Sequence, residues 1–246
     1  MALLNDRVLK TVDGAIVYDT SLINQISPQL FRPAGWASTK PVQGVLRSAG
    51  RGNALIVGDG EREFVLRHYL RGGLPGRIIR DSYFWTGADS TRSFAEWYFL
   101  ARLQQLELPV PRPAAARFVR TGLFYRADLL TLRIPGIRSL ADRISERPRD
   151  DAFWQGVGRG IQRFHRAGVC HADLNAYNVQ LDGDNGLYLL DFDRGRFMEP
   201  GVWQQKNLAR LHRSLQKIKS LDQRLYFAKA NWNQLLEGYF SASRSA

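Results

Sequence analysis

Two short segments in the C-terminal half of the chain carry oxygen-bearing side chains that could act together. The first, residues 171–178, reads His-Ala-Asp-Leu-Asn-Ala-Tyr-Asn, and the second, residues 191–193, reads Asp-Phe-Asp. Asp173 can accept a proton from a hydroxyl group, and Asn178 and Asp191 supply hard oxygen atoms of the kind that Mg²⁺ prefers. If these side chains share one site, the fold must bring the two segments side by side.

The same order of residues is typical of kinases, in which a catalytic loop H-R-D-L-x-x-x-N precedes a metal-binding D-F-G. Here the spacing from Asp173 to Asn178 is the same, and Asp193 stands in place of the glycine. The pattern predicts that Asp173 is catalytic and orients the attacking hydroxyl, and that Asn178 and Asp191 are Mg²⁺ ligands beside the phosphates of ATP. Each residue alone could instead form a turn, and His171 is expected to pack the loop.

The charge of the chain favours an anionic partner. The 246 residues carry a formal net charge of +12, and most of the 35 basic residues are arginines, whose planar guanidinium groups suit phosphate and carboxylate. Nucleic acid, anionic lipid and an acidic substrate all fit this charge. The single cysteine excludes an internal disulfide. No apolar run reaches the length of about 18 residues that spans a bilayer, so a cytoplasmic protein, free or bound to a surface, is expected.

The pattern of apolar residues divides the chain into a β-rich part and a helical part. Residues 1–40 are expected to form an irregular lead-in, and glycine-rich turns then separate short strands. The predicted elements before residue 134 are strands over 42–47, 54–57 and 63–69, a helix from Ser93 with Phe94, Trp97, Leu100 and Ala101 on one face, and a hairpin over 117–130 turned at Gly122.

Beyond residue 134 helical periodicity dominates. It predicts a helix from Phe153 that ends near Gly168, and a basic helix with Leu208, Leu211, Leu215 and Ile218 on one face. We therefore predict an α+β, protein-kinase-like two-lobed fold, with a β-rich N-lobe over residues 1–134 and a mainly helical C-lobe over residues 135–246.

The predicted N-lobe contains a candidate phosphate-binding turn. Gly50 and Gly52 form a G-x-G sequence that would let backbone N–H groups approach phosphates. The third glycine that usually completes this pattern is missing, so an ordinary hairpin turn explains the two glycines almost as well.

The third predicted strand carries stronger candidates for nucleotide binding. Strand alternation puts Val65 and Arg67 on one face, where Val65 would pack on adenine and Arg67, in place of the usual lysine, would reach the α- and β-phosphates. Glu96 is the predicted partner of Arg67. The alternative is that Glu96 closes a capping box with Ser93 at the start of the helix.

Several segments together resemble the 3-deoxy-D-manno-octulosonic acid (Kdo) kinases, a kinase-fold family of lipopolysaccharide enzymes in Gram-negative bacteria. They span roughly residues 40–200 and comprise 67–73, the helix around 94–97 with the proline-rich segment 108–113, 165–178 and 190–196. The resemblance implies ATP- and Mg²⁺-dependent phosphorylation of the 4-hydroxyl of the Kdo residue of Kdo-lipid IVA. It also implies a peripheral position on the cytoplasmic face of the inner membrane.

Two other functions remain open from the sequence. A related kinase could act on a heptose of the lipopolysaccharide core, and a non-catalytic kinase-like domain could bind RNA or membrane through its arginines. Such a domain has no need to keep Asp173, Asn178 and Asp191 together. We expect a lipid-linked acidic sugar and an anionic membrane surface as partners, and we predict neither nucleic acid nor a protein partner.

Overall fold

The structure, a computed structural model, describes residues 5–42, 54–70 and 81–241. The chain folds into two compact units. The N-terminal unit contains Met1–Gln105 and Pro111–Ile134, and the C-terminal unit contains Leu106–Val110 and Pro135–Ala246.

The described residues of the N-terminal unit form β1 (Asp6–Thr11), β2 (Gly14–Asp19), β3 (Ser38–Pro41), β4 (Ala54–Gly58), β5 (Glu63–His68), β6 (Tyr83–Phe84), α1 (Arg92–Gln105), β7 (Pro113–Thr121) and β8 (Phe124–Leu132). These eight strands make one antiparallel sheet in the order β1-β2-β7-β8-β5-β4-β3, with β6 beside β8. The helix α1 packs against β7 and β8.

The predicted lead-in over residues 1–40 is not irregular where the structure describes it. Residues 5–41 contain the β1–β2 hairpin, which pairs with β7, two short 3₁₀ turns and β3. Most side chains of β1 are exposed, so this strand lacks the apolar alternation that identifies a strand in a sequence. In contrast, Ile16 and Val17 of β2 are completely buried. Gly14 is required where β2 meets β7, because a Cβ atom there would lie 2.0 Å from the carbonyl oxygen of Phe118.

The two faces of the sheet are covered by different parts of the unit. On one face, Ile16, Ile23 and Phe31 pack with Phe64 and Leu130 in one buried cluster. On the other face lies α1, whose predicted apolar side chains are all buried, as expected: Phe94, Trp97, Leu100 and Ala101.

The predicted hairpin is also confirmed, with Gly122 at a φ of 60° in its turn. Of the strand predicted over 42–47, residues 43–47 lie outside the described residues. In the part that the structure describes, β4 lies between β3 and β5 and pairs with both.

A charged network lies on the sheet face opposite α1. His68 Nδ1 is 2.7 Å from Oδ1 of Asp128, and Arg117 donates to the other oxygen of the same carboxylate over 2.7 and 2.9 Å. Asp81 lies 3.6 Å from His68 Nε2. The hydrogen bond to Asp128 raises the pKa of His68 above its ordinary value, although partial burial acts in the opposite direction.

The C-terminal unit is mainly helical, as predicted, with short strands between its helices. Its helices carry the expected buried stripes, including Leu208, Leu211 and Leu215 of the basic helix. Its elements are β9 (Arg138–Ser139), α2 (Leu140–Glu146), α3 (Asp151–Arg166), β10 (Val169–Cys170), β11 (Val179–Leu181), β12 (Leu187–Leu189), β13 (Arg196–Phe197), α4 (Val202–Leu221) and α5 (Lys229–Ser241). In the part of the chain that the structure describes, no helix is both long and apolar enough to cross a membrane.

Glycines let α3 and α5 approach each other closely. A Cβ atom on Gly158 would lie 2.0 Å from the carbonyl oxygen of Leu235, and one on Gly238 would lie 2.1 Å from that of Gln155. Glycine lowers the propensity of α3 to form a helix, so this backbone-to-backbone packing compensates for the weak local preference. The helix ends as expected, with Gly168 at a φ of 74° just beyond it.

Candidate active site

His171 fixes the shape of the loop that connects β10 to β11. Its ring is almost completely buried. Its Nδ1 accepts a hydrogen bond from the backbone N–H of Asp173 over 3.1 Å, and its Nε2 donates to the carbonyl oxygen of Leu190 over 2.9 Å. Burial lowers the pKa of His171, against the effect of the Leu190 carbonyl. A neutral ring with the proton on Nε2 satisfies both contacts, so His171 holds the loop against the segment that precedes Asp191.

Asp173 lies in this loop with both carboxylate oxygens in hydrogen bonds. Oδ1 accepts from Arg210 Nη1 over 2.7 Å, and Oδ2 accepts from Asn175 Nδ2 over 3.2 Å. The side chain is 20% exposed, which keeps it accessible to a substrate. Asn175 also accepts hydrogen bonds from the backbone N–H groups of Tyr177 and Asn178, over 2.9 and 3.0 Å, and thereby closes the turn that follows Asp173.

Asn178 and Asp191 lie at the same end of the β11–β12 ladder. Val179 pairs with Leu189 in the antiparallel register, and one step beyond that pair the N–H of Leu190 donates to the carbonyl of Asn178 over 3.0 Å. Asp191 follows directly, at a φ of 63°. Asn178 Nδ2 donates to the backbone carbonyl of Asp173 over 2.9 Å. The two segments predicted to act together are therefore joined by backbone and side-chain hydrogen bonds.

Asn178 and Asp191 carry oxygen atoms of the hard type that Mg²⁺ takes when it also binds a nucleotide. Because Asn178 uses Nδ2 to hold the loop, its Oδ1 is the side-chain atom that can bind a metal, and the carboxylate of Asp191 follows the same end of the ladder. Across residues 5–42, 54–70 and 81–241 there is no cluster of three or more His, Cys, Asp or Glu side chains arranged to hold a metal. Mg²⁺ in kinases needs no such cluster, since it is held by one or two protein oxygens together with phosphates and water.

The N-terminal unit contains the ion pair predicted between Arg67 and Glu96. Arg67 donates to Glu96 Oε2, and Glu96 is only 4% exposed. Val65 and Arg67 alternate with the buried Phe64 and Leu66 and so share one face of β5. Gly50 and Gly52 lie outside the described residues.

The alternative role of Glu96 in a capping box is wrong. The helix begins at Arg92, so Ser93 lies inside it, and the Ser93 hydroxyl donates to the carbonyl of Arg117 over 2.9 Å. A serine in the first turn that bonds to a neighbouring strand is not an N-cap. The side chain of Glu96 points instead to the strand that carries Arg67.

Tyr69 and Arg210 are the polar partners that sequence reasoning missed. The Tyr69 hydroxyl donates to Glu96 Oε2 over 2.6 Å and accepts from Arg67 Nη2 over 3.0 Å. Strand alternation could have identified Tyr69, because residues 65, 67 and 69 share a face. Nothing local in the sequence connects Arg210, on α4, with Asp173.

Comparison with known proteins agrees with this geometry. The model of the lipopolysaccharide kinase (Kdo/WaaP) family matches residues 37–239. A protein of Stenotrophomonas maltophilia named 3-deoxy-D-manno-octulosonic acid kinase is 49% identical over 208 residues, which cover 84% of this chain and 82% of the relative. Proteins of the same name from Xanthomonas campestris and Xanthomonas oryzae are 47% and 46% identical over the same shares.

The α+β fold, with a sheet-rich N-terminal part and a helical C-terminal part, is the one expected for such kinases. The matched region contains the loop around Asp173 and the ladder that leads to Asp191. The sequence match and the site thus point to the same conclusion: this chain belongs to the lipopolysaccharide kinase (Kdo/WaaP) family.

Proposed function

We propose that this protein is an ATP-dependent kinase that phosphorylates the 4-hydroxyl of the Kdo residue in Kdo-lipid IVA. The main support for the proposal is the geometry of the loop around Asp173. Asn178 connects this loop by hydrogen bonds to the β11–β12 ladder, which Asp191 follows. The naming of relatives that are 46–49% identical as 3-deoxy-D-manno-octulosonic acid kinases supports the choice of Kdo as acceptor.

In the proposed reaction, Asp173 orients the 4-hydroxyl and accepts its proton while that oxygen attacks the γ-phosphorus of ATP. The new bond joins O4 to phosphorus, and the bond to the β,γ-bridging oxygen breaks, so that its electron pair leaves with ADP. Asn178 Oδ1 and the Asp191 carboxylate would hold Mg²⁺, which would neutralise charge on the phosphates.

Side chains of the N-terminal unit have the proposed role of positioning the nucleotide. Arg67 contacts the α- and β-phosphates, and Val65 packs on the adenine ring. Glu96 and Tyr69 hold the guanidinium of Arg67 in one orientation through the hydrogen bonds described above. Gly50 and Gly52 are proposed to approach the phosphates through their backbone N–H groups.

Transfer of radiolabelled phosphate to a panel of acceptors tests this function. We expect label from [γ-³²P]ATP in Kdo-lipid IVA and much less in a heptosylated core acceptor. Stronger labelling of the heptosylated acceptor would assign the protein to heptose phosphorylation. Absence of label from both acceptors, together with salt-sensitive RNA binding, would support a non-catalytic anion-binding role and contradict the proposal.

We further propose that the protein binds the cytoplasmic face of the inner membrane peripherally. Its net charge of +12 favours an anionic lipid surface. One end of the sheet also exposes apolar side chains. The β1–β2 and β7–β8 turns are neighbours there, because the N–H of Arg120 donates to the carbonyl of Asp13 over 2.7 Å. Val12 in the first turn and Leu123 in the second are exposed. Apolar turn residues with nearby basic groups are suited to the lipid headgroup region.

Sedimentation with lipid vesicles tests this location. We expect binding to vesicles that contain phosphatidylglycerol, weaker binding to pure phosphatidylcholine, and a loss of binding in the double variant Val12→Ser/Leu123→Ser. The matched control is Leu221→Ser, which changes a similarly exposed leucine at the end of α4. Equal binding of all variants to both vesicle types would contradict the proposed surface.

A further inference from the structure

Helix α4 is attached to the loop of Asp173 at two points. The Asn207 side-chain oxygen accepts a hydrogen bond from the backbone N–H of His171 over 3.2 Å. Two helical turns later, the Ser214 hydroxyl accepts from the N–H of Ala176, also over 3.2 Å. Arg210 lies between these two attachments and is therefore held beside the loop by the backbone of its own helix.

The guanidinium of Arg210 is only partly used by the contact with Asp173. One nitrogen, Nη1, donates to Asp173 Oδ1 over 2.7 Å, and the side chain is 48% exposed. Arginine has five N–H donors in a fork that can bind two carboxylates at once. Among the described residues, no second hydrogen-bond acceptor for Arg210 is found, so donors remain on its solvent side.

Folding stability does not explain this ion pair well. Both partners are partly exposed, and pairs in contact with solvent contribute little to stability because water and salt screen them. A cation held next to the proposed proton acceptor of a kinase is better explained by a second anion that enters the site with the acceptor.

We propose that Arg210 binds the carboxylate of the acceptor sugar while it remains next to Asp173. The inference rests on the proposed function and assigns the recognition of an acidic sugar to one residue. In Kdo the carboxylate is attached to C2 and the reacting hydroxyl to C4, which is two ring atoms away. A group that binds the carboxylate must therefore be a close neighbour of the group that accepts the hydroxyl proton, and Arg210 and Asp173 are such neighbours.

A cycle of two enzymes and two acceptors tests the inference. The acceptors are Kdo-lipid IVA and the same lipid with the Kdo carboxylate reduced to an alcohol, and the enzymes are wild type and Arg210→Gln. With the natural acceptor, Arg210→Gln should lower kcat/KM about 10- to 100-fold through a raised acceptor KM, as expected for a lost charge-assisted hydrogen bond. The KM for ATP should stay unchanged. Wild type should lose a similar factor with the reduced acceptor, and Arg210→Gln should lose almost nothing further.

Two more variants separate recognition from a general effect of charge or structure. Arg210→Lys keeps the charge but not the fork and should recover part of the lost kcat/KM. Arg213→Gln removes one exposed positive charge from the same helix and should behave as wild type with both acceptors.

The possible results distinguish this inference from the function on which it rests. If Arg210→Gln loses the same factor with both acceptors, or loses nothing with Kdo-lipid IVA, the carboxylate is not its ligand and the inference is overturned. If wild type fails to phosphorylate Kdo-lipid IVA but phosphorylates a neutral sugar, the proposed function itself fails.

Discussion

The backbone N–H of Leu190 donates a hydrogen bond over 3.0 Å to the carbonyl oxygen of Asn178. This bond extends the β11–β12 ladder by one step and thereby fixes the position of the backbone directly before Asp191. The side-chain amide of Asn178 is held at the same time by the carbonyl of Asp173. The residue that precedes Asp191 is thus connected to the backbone of Asp173 through Asn178, by one hydrogen bond to its backbone carbonyl and one from its side-chain amide.

The proposed metal site predicts a specific defect in Asp191→Asn. Loss of the carboxylate charge weakens the attraction for a divalent cation while the size of the side chain is kept. The Mg²⁺ concentration for half-maximal activity should rise about 10- to 100-fold. Metal affinity falls by that factor even when a change only misorients the metal ligands. A magnesium titration of phosphoryl transfer measures this. Asp184→Asn, in the exposed β11–β12 turn, is the control and should leave the titration unchanged.

Replacement of Asp173 by alanine should affect the chemical step and not nucleotide binding. We expect kcat to fall roughly 10²- to 10⁴-fold, as for the loss of a general base, while the Kd for ATP, measured by calorimetry, stays close to that of wild type. Near-normal turnover would remove Asp173 from its proposed role, and a large loss of ATP affinity would indicate a role in nucleotide binding instead.

The contacts of Glu96 predict a defect in nucleotide binding. In Glu96→Gln the side chain can still accept hydrogen bonds, but it no longer neutralises Arg67, so the guanidinium loses its fixed orientation. The KM for ATP should rise about tenfold or more, with little change in the acceptor KM. Tyr69→Phe removes one hydroxyl and keeps the ion pair, so its effect should be smaller. An unchanged KM for ATP in Glu96→Gln would contradict the proposed role of the pair.

Packing of α3 against α5 predicts opposite effects for two neighbouring glycines. Gly158→Ala forces a Cβ atom against the carbonyl of Leu235 and should lower the free energy of unfolding by about 1–3 kcal/mol or more. At Gly156 the nearest atom to a Cβ would be 3.9 Å away, so Gly156→Ala should stabilise the protein by up to about 1 kcal/mol through helix propensity. Urea denaturation of both variants measures the difference, and equal effects would contradict the described helix packing.

His68 predicts a pH-dependent contribution to stability. Because the Asp128 carboxylate raises the pKa of His68 in the folded protein, the protonated ring stabilises the fold. That contribution is fully present below the unfolded pKa of about 6.5 and is lost as the pH rises through the higher folded pKa.

Comparison of wild type with His68→Gln measures this contribution. The difference in free energy of unfolding should be largest below about pH 6 and should shrink in alkaline solution. Asp128 and Asp81 face the ring, and Arg117 is bonded to Asp128, so the measurement requires a pH range in which these groups keep their charge. A difference that grows with pH would contradict the assigned direction of the pKa shift.

The sequence predicted features that depend on local pattern. The stripe from Phe94 to Ala101 has helical periodicity, and Gly122 lies between two runs of strand-forming residues, so α1 and the β7–β8 hairpin could be placed. The spacing of Asp173, Asn178 and Asp191 likewise predicted that two segments would meet, and the hydrogen bonds between them agree.

Other features depend on contacts that no local pattern encodes. The strand β1 exposes most of its side chains and is stabilised by pairing with β2. Its sequence therefore lacks the alternation of apolar and polar residues that distinguishes a strand from a loop. Arg210 meets Asp173 across 37 positions of sequence, and its role follows only from the packing of α4 on the loop.

Mass spectrometry of Kdo-lipid IVA after incubation with the protein and Mg·ATP detects the product of the proposed reaction itself. Wild type should add one phosphoryl group to the lipid, and fragmentation should locate this group on the Kdo residue. Asp173→Ala should yield almost none of this product under the same conditions. An unchanged lipid mass with active, folded wild-type protein, or an equal yield from Asp173→Ala, would contradict the proposed reaction.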